Sequence, residues 1–459
     1  MNDFDLIIIG TGSGNSVLTP DFDDARVAIV EKGVFGGTCL NVGCIPSKMF
    51  VYTADRALDA TDSSKYGIST SYSGVDWPAL RDRVFGRIDP IAEGGKRYRS
   101  EEQENVTVFL GSASFAGPNE IVVAGNDGTE SRITGTNIVV AAGARVSVPP
   151  VPGLEDVGYY SSDTVMRLDE LPQRMAVIGA GYIATELGHV FSSLGVDVTF
   201  FNRSPEMLRF EDDDISERFT KLASTRNNVL CSTSIESVAR NDAGAITIEA
   251  TVKGTPTTIE TDLILVATGR TPNGDRLALD AAGIEVDDSG YIITDDHCRT
   301  NVDGVWALGD VTTELQLKHS ANHEARVVAH NLANPDDMIK RDLSLVPHAV
   351  FCNPQIASVG LTERDVKAAG TPYVTKIQNY GDTAYGWAME DTESFVKLIA
   401  HAETRMLLGA HIIGPQSSTL IQQLIQGMRF GQTVDQMARD QMYIHPALTE
   451  VVENALLGL

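Results

Sequence analysis

Two cysteines, Cys39 and Cys44, lie in the run Gly36-Gly37-Thr38-Cys39-Leu40-Asn41-Val42-Gly43-Cys44-Ile45-Pro46-Ser47-Lys48. Such a pair is half of a metal site, a redox disulfide or a coincidence. Zinc needs two further ligands, and no second cysteine pair or close histidine pair has suitable spacing. A redox pair on the first turn of a helix is physically sensible, because the helix N-terminus lowers a thiol pKa and the thiolate is the reactive form. Cys231, Cys298 and Cys352 are isolated and read as buried or incidental thiols.

A second kind of chemistry is written in glycine. Gly10-Thr11-Gly12-Ser13-Gly14-Asn15 follows Leu6-Ile7-Ile8-Ile9 and precedes Arg26-Val27-Ala28-Ile29-Val30-Glu31. Strand, glycine turn, helix, strand, acid is the order of a parallel βαβ nucleotide unit. Gly10 permits the tight turn, and Gly12 lets the backbone approach a pyrophosphate on the helix N-terminus. Glu31, twenty-one residues after Gly10, is placed for a ribose diol. The third glycine position holds Asn15, a departure, with Gly14 one place earlier. The same order returns in Met175-Ala176-Val177-Ile178, Gly179-Ala180-Gly181-Tyr182-Ile183-Ala184 and Val196-Asp197-Val198-Thr199-Phe200-Phe201. Here the strand ends at Asn202-Arg203 with no acid. Arg203 and Arg209 instead suit a ribose 2′-phosphate, which predicts NADPH in preference to NADH. Two such units imply two nucleotides.

These loops need domains to hold them. The 459 residues allow two to four, and 42% hydrophobic against 21% charged is a globular balance. With 36 lysines and arginines against 62 acids, the net charge is −26, which disfavours nucleic acid and anionic membranes as partners. Five cysteines are too few for a secreted disulfide scaffold. No leader pattern opens the chain, and no stretch approaches the roughly 18 apolar residues of a membrane span. A cytoplasmic enzyme is expected. The Pro-rich segment 148–153 reads as a connection, the chain is expected to return to its first domain through 304–310, and the pattern changes near Val346. The expected class is α/β: a nucleotide domain over 1–150 and 276–345, a second over 151–275, both Rossmann-like, and a C-terminal α+β dimerisation domain over 346–459.

Over essentially its whole length the chain resembles the flavin-dependent pyridine nucleotide-disulfide oxidoreductases, the family of glutathione reductase and dihydrolipoamide dehydrogenase. The resemblance rests on the first glycine loop with Glu31, the segment 39–48, residues 179–186, Ala267-Thr268-Gly269-Arg270-Thr271-Pro272-Asn273, Ala307-Leu308-Gly309-Asp310, and Ile444-His445-Pro446 followed by Glu450. It implies a Cys39–Cys44 redox disulfide, with Cys44 next to the flavin and Cys39 as the outer, interchange thiol. It implies tight, non-covalent FAD on Gly10, Gly12, Gly14, Glu31, Gly37 and Thr38, together with Ala142, Gly143, Gly309 and Asp310, the last toward the ribityl chain. NADPH is expected on Gly179, Gly181, Tyr182, Arg203, Arg209 and Gly269, with Tyr182 covering the flavin until the nicotinamide displaces it. Lys48 and Glu186 match an ion pair beside the flavin. His445 and Glu450 match an acid–base pair that, in a homodimer, completes the partner chain's site. No metal is required.

Within the family, Gly10-Thr11-Gly12-Ser13-Gly14-Asn15-Ser16 with Cys44-Ile45-Pro46-Ser47-Lys48-Met49-Phe50-Val51-Tyr52 most resembles the members that reduce mycothiol disulfide. The segment 15–24 is short, broken by Pro20 and acidic. With Asp21, Asp23 and Asp24 toward the substrate it would repel the carboxylates of glutathione disulfide and suit a hydroxyl-rich one. The alternatives are a dihydrolipoamide dehydrogenase or a reductase of another small disulfide such as glutathione disulfide. The ending Ala455-Leu456-Leu457-Gly458-Leu459 lacks the cysteine pair of mercuric reductases. One departure follows Asp310: where the family commonly has Leu-Thr-Pro, this chain has Leu317-Lys318-His319, so that Lys318 or His319 could approach the flavin.

Overall fold

The computed structural model describes residues 2–242 and 244–459. They group into two compact units, Met1–Ser47 with Pro78–Ser147 and Gly269–Leu343, and Lys48–Trp77 with Val148–Thr268 and Ser344–Leu459.

The first unit is built on a parallel sheet whose strands run in the spatial order Val106–Gly117, Val27–Glu31, Asn2–Ile9, Glu130–Val140, Val305–Ala307. Continuous β-branched runs suit strands covered on both faces. Alternation sends Ile7 and Ile9 into one apolar cluster with Val30 and Val140, and Leu6 and Ile8 into another with Ile29 and Val139. The helix Lys318–Ala333 closes this second cluster through Ala325, Val327 and Val328. Glu120–Gly125 joins the outer ends of two strands in an antiparallel meander. Strand order reverses between Asn2–Ile9 and Glu130–Val140, and the crevice beyond their C-terminal ends is where such sheets take nucleotides.

The first loop differs from expectation. Between its two strands there is no α-helix, only the 3-10 turns Gly14–Val17 and Pro20–Phe22. Ser13, Asn15, Ser16 and Val17 are poor helix formers, and Pro20 holds Thr19 extended. A pyrophosphate there meets loop N–H groups rather than the dipole of a helix.

In the second unit the parallel sheet runs Leu263–Val266, Arg174–Ile178, Asp197–Phe201, Asn228–Leu230. Helix Tyr182–Ser193 packs on it, buried from Ala184 to Phe191. The C-terminal part is a five-stranded antiparallel sheet, ordered His348–Val350, Ile356–Gly360, Leu407–Ile413, Phe395–His401, Tyr373–Asn379. Helices Ser417–Arg429, Val434–Arg439 and Thr449–Leu457 share its core. The expected class, two nucleotide-type sheets plus an α+β layer, is therefore observed. Among the described residues no helix is long and apolar enough to cross a membrane, and no cluster of three or more potential ligands could hold a metal.

Candidate active site

Cys39 lies in the five-residue helix Gly37–Asn41, and Cys44 is the first residue of helix Cys44–Asp62. Asn41 fixes the turn between the preceding strand and this helix, its Nδ2 donating to Phe35 O at 2.8 Å and Gly37 O at 3.0 Å. Gly37 has φ +67, and a Cβ there would stand 2.5 Å from Gly12 Cα, so the cysteine segment is pressed against the first glycine loop. Cys39 is half-buried and hydrogen-bonded to Cys44. That bond, then burial, pushes the Cys39 thiol far above its ordinary value, while Lys318 opposes them. The other cysteines are buried, and burial pushes Cys298 up to about 12 and raises Cys231 and Cys352 as well, which leaves them unreactive.

At the first loop, a Cβ on Gly10 would lie 2.4 Å from Ala141 O, where the neighbouring strand ends. Gly14 takes the close-packing role, since a Cβ there would meet Ala141 Cβ at 2.7 Å. Asn15 has other work: its Oδ1 accepts from Arg99 Nε at 2.9 Å and its carbonyl from Arg99 Nη2 at 3.1 Å. Glu31 is held at the strand end by Thr11 N at 2.9 Å, Thr11 Oγ1 at 2.7 Å and Gly33 N at 2.8 Å. Ala142 O and Gly143 O accept from Asn273, at 2.9 and 3.0 Å. Gly309 N donates to the buried Glu324 at 2.7 Å, which also accepts from Arg341 at 2.8 Å. Asp310, in the same turn, has its carboxyl raised by burial against the opposing charges of Arg270, 3.9 Å away, and Lys318. Lys318 Nζ donates to Ser13 Oγ at 2.9 Å. Thr38, Asp21, Asp23, Asp24 and His319 are exposed.

The second loop repeats the first. A Cβ on Gly179 would stand 2.3 Å from Ala267 O, and one on Gly181 would meet nothing within 4 Å. Tyr182 opens the following helix and stacks on His348, ring centroids 5.4 Å apart. His348 Nε2 is 2.7 Å from the buried Glu211. Burial, then the Glu211 charge, raises the Tyr182 phenol. Asn202 is buried and closes its own turn, donating to Glu206 O at 2.8 Å and accepting from Ser204 N at 3.2 Å. That turn presents Arg203 to solvent, and Arg209 is exposed over the Phe210 ring at 4.6 Å. Gly269 falls in the first unit.

Lys48 Nζ and Glu186 Oε2 pair at 2.6 Å; Glu186 Oε1 also accepts from Phe351 N at 3.0 Å. His445 Nδ1 and Glu450 Oε1 are 2.5 Å apart, and Ala447 N donates to Glu450 Oε2 at 3.3 Å. The residues singled out in the sequence thus meet as Cys39 with Cys44, Lys48 with Glu186, and His445 with Glu450. Asn41, Glu324 and the His348–Glu211 pair were not foreseen; only Asn41, inside the cysteine run, carried a local signal. Both glycine cradles, Glu31 and the exposed arginines are a donor set that fits two dinucleotides.

The family profile of the pyridine nucleotide-disulphide oxidoreductases matches residues 4–325, and that of the family's dimerisation domain matches 346–456. The chain is 49% identical to mycothione reductase of Mycobacterium tuberculosis (strain CDC 1551 / Oshkosh), covering 100% of both. It is 33% identical to dihydrolipoyl dehydrogenase of Chlamydia muridarum, covering 99% of this chain and 97% of that one. Its structure is similar to the solved Cu(II) complex of the HOCl-induced flavoprotein disulfide reductase RclA from Escherichia coli, with TM-score 0.88, 26% identity and 100% of both chains covered. The chain belongs to the pyridine nucleotide-disulfide oxidoreductase family. It is a flavoprotein-type disulfide oxidoreductase with a dimerisation domain.

Proposed function

We propose that this enzyme is a cytoplasmic, homodimeric, NADPH-dependent reductase of mycothiol disulfide that carries FAD. The observation that bears most weight is the hydrogen-bonded Cys39–Cys44 pair pressed against the first glycine loop. The substrate is supported by the 49% identity with a mycothione reductase along the full chain. Residues 1–150 and 276–345 form the FAD domain, 151–275 the NADPH domain and 346–459 the dimer interface. Bound on the first loop, FAD supplies the passage of two electrons from the reduced nucleotide to the cysteine pair.

In the reduced pair, Cys39 as thiolate attacks one sulfur of the substrate disulfide. A Cys39–substrate disulfide forms, the substrate S–S bond breaks, and the departing thiolate takes a proton from the partner subunit's His445. Glu450 orients that imidazole. Cys44 thiolate then attacks Cys39 Sγ, restores the Cys39–Cys44 disulfide and expels the second thiol. Each turnover consumes two electrons and two protons and yields two thiols. Lys48, fixed by Glu186, would supply positive charge to a bound flavin. Asp310 would hold the flavin nucleotide, Tyr182 would be displaced by the nicotinamide, and Arg203 with Arg209 would supply the positive charge for a ribose 2′-phosphate.

Oxidation of NADPH is to be followed with mycothiol, glutathione, trypanothione and lipoamide disulfides. Fast turnover with mycothiol disulfide and NADPH is expected; fast turnover with glutathione disulfide alone, or with lipoamide and NADH, overturns the assignment.

A further inference from the structure

Tyr182, the first residue of helix Tyr182–Ser193, lays its ring on that of His348, with centroids 5.4 Å apart and planes 29° from parallel. His348 opens the strand His348–Val350 and stands directly opposite Ser358 in the antiparallel pairing with Ile356–Gly360. Opposed residues share one face of a sheet, and both of these reach a single carboxylate. Glu211 Oε1 lies 2.7 Å from His348 Nε2, and Glu211 Oε2 accepts from Ser358 Oγ at 2.6 Å. The Glu211 side chain is fully buried. Burial raises its carboxyl, but the hydrogen bonds of His348 and Ser358 bring it below its ordinary value. It is therefore an ionised acceptor, and His348 Nε2 is the donor that fixes the plane of the imidazole.

The backbone ties the other end. Glu211 N donates to Leu208 O at 2.9 Å, and Leu208 N donates to Ala180 O at 2.9 Å, two residues before Tyr182. Leu208 reaches that carbonyl with φ +52, a left-handed conformation uncommon for so bulky a side chain. One turn, 208–211, thus holds both the glycine loop that carries Tyr182 and the imidazole on which its ring rests.

We propose that His348 is a positioning residue for Tyr182: its imidazole, held by Glu211, is the seat from which the nicotinamide must lift the tyrosine ring, and the strength of that seat sets coenzyme affinity. This rests on the reading of Tyr182 as the residue that the nicotinamide displaces. Free energy that keeps the ring on its seat is subtracted from that of coenzyme binding, because the competent state is the one with the ring lifted. A stacked pair of this kind changes a dissociation constant by about three- to tenfold.

The test measures the dissociation constants of NADP⁺ and NAD⁺ by titration calorimetry on the oxidised holoenzyme, without turnover. Both carry the nicotinamide, so the expectation does not depend on which is preferred. His348→Gln keeps an amide N–H for Glu211 and removes the ring, and the coenzyme is expected to bind about three- to tenfold tighter. In a Tyr182→Leu background the same substitution should change nothing further, an outcome that a merely structural role would not produce. Melting temperatures on the same samples identify a variant that fails to fold, and His348→Asn then carries the test. Binding unchanged or weakened in a folded Gln or Asn variant, or tightened equally with and without the Tyr182 ring, overturns the inference. Tyr182→Leu alone separates the two readings. If it tightens binding while His348→Gln does not, only this inference has failed; if it leaves binding unmoved, the displaced-tyrosine reading has failed and takes this one with it.

Discussion

The His445 side chain is 73% exposed, while Glu450, bound to its Nδ1, is only 16% exposed. The carboxylate is thus anchored in the protein and holds an imidazole that stands largely in solvent. His445→Gln removes the proposed proton donor without removing packing, so kcat for disulfide reduction should fall by about 10²–10⁴ with the melting temperature unchanged. Glu450→Gln keeps the ring but loosens it, and a loss of about tenfold in kcat is expected. Steady-state kinetics beside calorimetry checks both, and a lowered melting point with unchanged kcat would contradict the assigned roles. For the cysteines, replacement of either is expected to end turnover. Reduction by NADPH should still leave a long-wavelength absorbance band in Cys39→Ser and none in Cys44→Ser. At this scale the sequence was most informative where partners sit close along the chain, as in residues 39–48 and 445–450. Asn15 could not be understood from its neighbours, because its partner Arg99 is 84 residues away.

Turns decide what each strand end can hold. Gly37→Ala forces a left-handed backbone and a Cβ only 2.5 Å from Gly12 Cα. Strain of about 1–3 kcal/mol falls on the cysteine helix and the glycine loop together, so the variant should purify with less bound flavin and a lower melting temperature. Gly181 differs: its φ is −83 and a Cβ would meet nothing within 4 Å. Gly181→Ala is expected to fold normally and to raise KM for NADPH several-fold with kcat for the disulfide half-reaction kept, a contrast that flavin absorbance and initial rates can read. The two parallel sheets were legible because apolar runs, glycines and strand ends recur in fixed order. The missing helix after the first loop was foreshadowed by Pro20, yet the order of motifs argued for a regular βαβ unit. Local propensity prevailed because the face is covered by Lys318–Ala333, an element some three hundred residues later.

Across the second unit a fully buried lysine, Lys397, binds Asp212 at 2.7 Å, Asp214 at 2.5 Å and Glu363 at 2.7 Å. No local pattern announced it, since Lys397 and Asp212 are 185 residues apart. Lys397→Met strands the partly buried carboxylates and should cost about 3–5 kcal/mol, measured by urea unfolding at pH 7.5. The cluster also fixes the pH profile. Hydrogen bonds from Lys367 and Lys397 hold Glu363 at about 2, below its ordinary 4.5, and Asp212 is lowered too by Lys397 and the Glu363 N–H against the cost of burial. These carboxylates therefore stabilise the fold above about pH 4.5, and the contribution is lost as pH falls toward 2. His411 is lowered by burial from its ordinary 6.5, so the unfolded chain takes up its proton first and stability already declines below that pH. Urea midpoints should be flat from about pH 7 to 8, dip gently below about 6.5 and collapse below about 4.5; a midpoint that rises on acidification would contradict the ionised cluster. Self-repulsion in a chain of net charge −26 pulls the other way, easing as carboxylates protonate, which makes the sign of the slope informative. The paired approaches of Gly10 to Ala141 and Gly179 to Ala267 reach further, into engineering. A side chain at either glycine would break the close approach, whereas the two strand tips differ, one bearing Glu31 and the other Asn202-Arg203. If the proposed coenzyme reading holds, the choice rests on a few side chains at these tips, which can be rewritten while the sheets are kept.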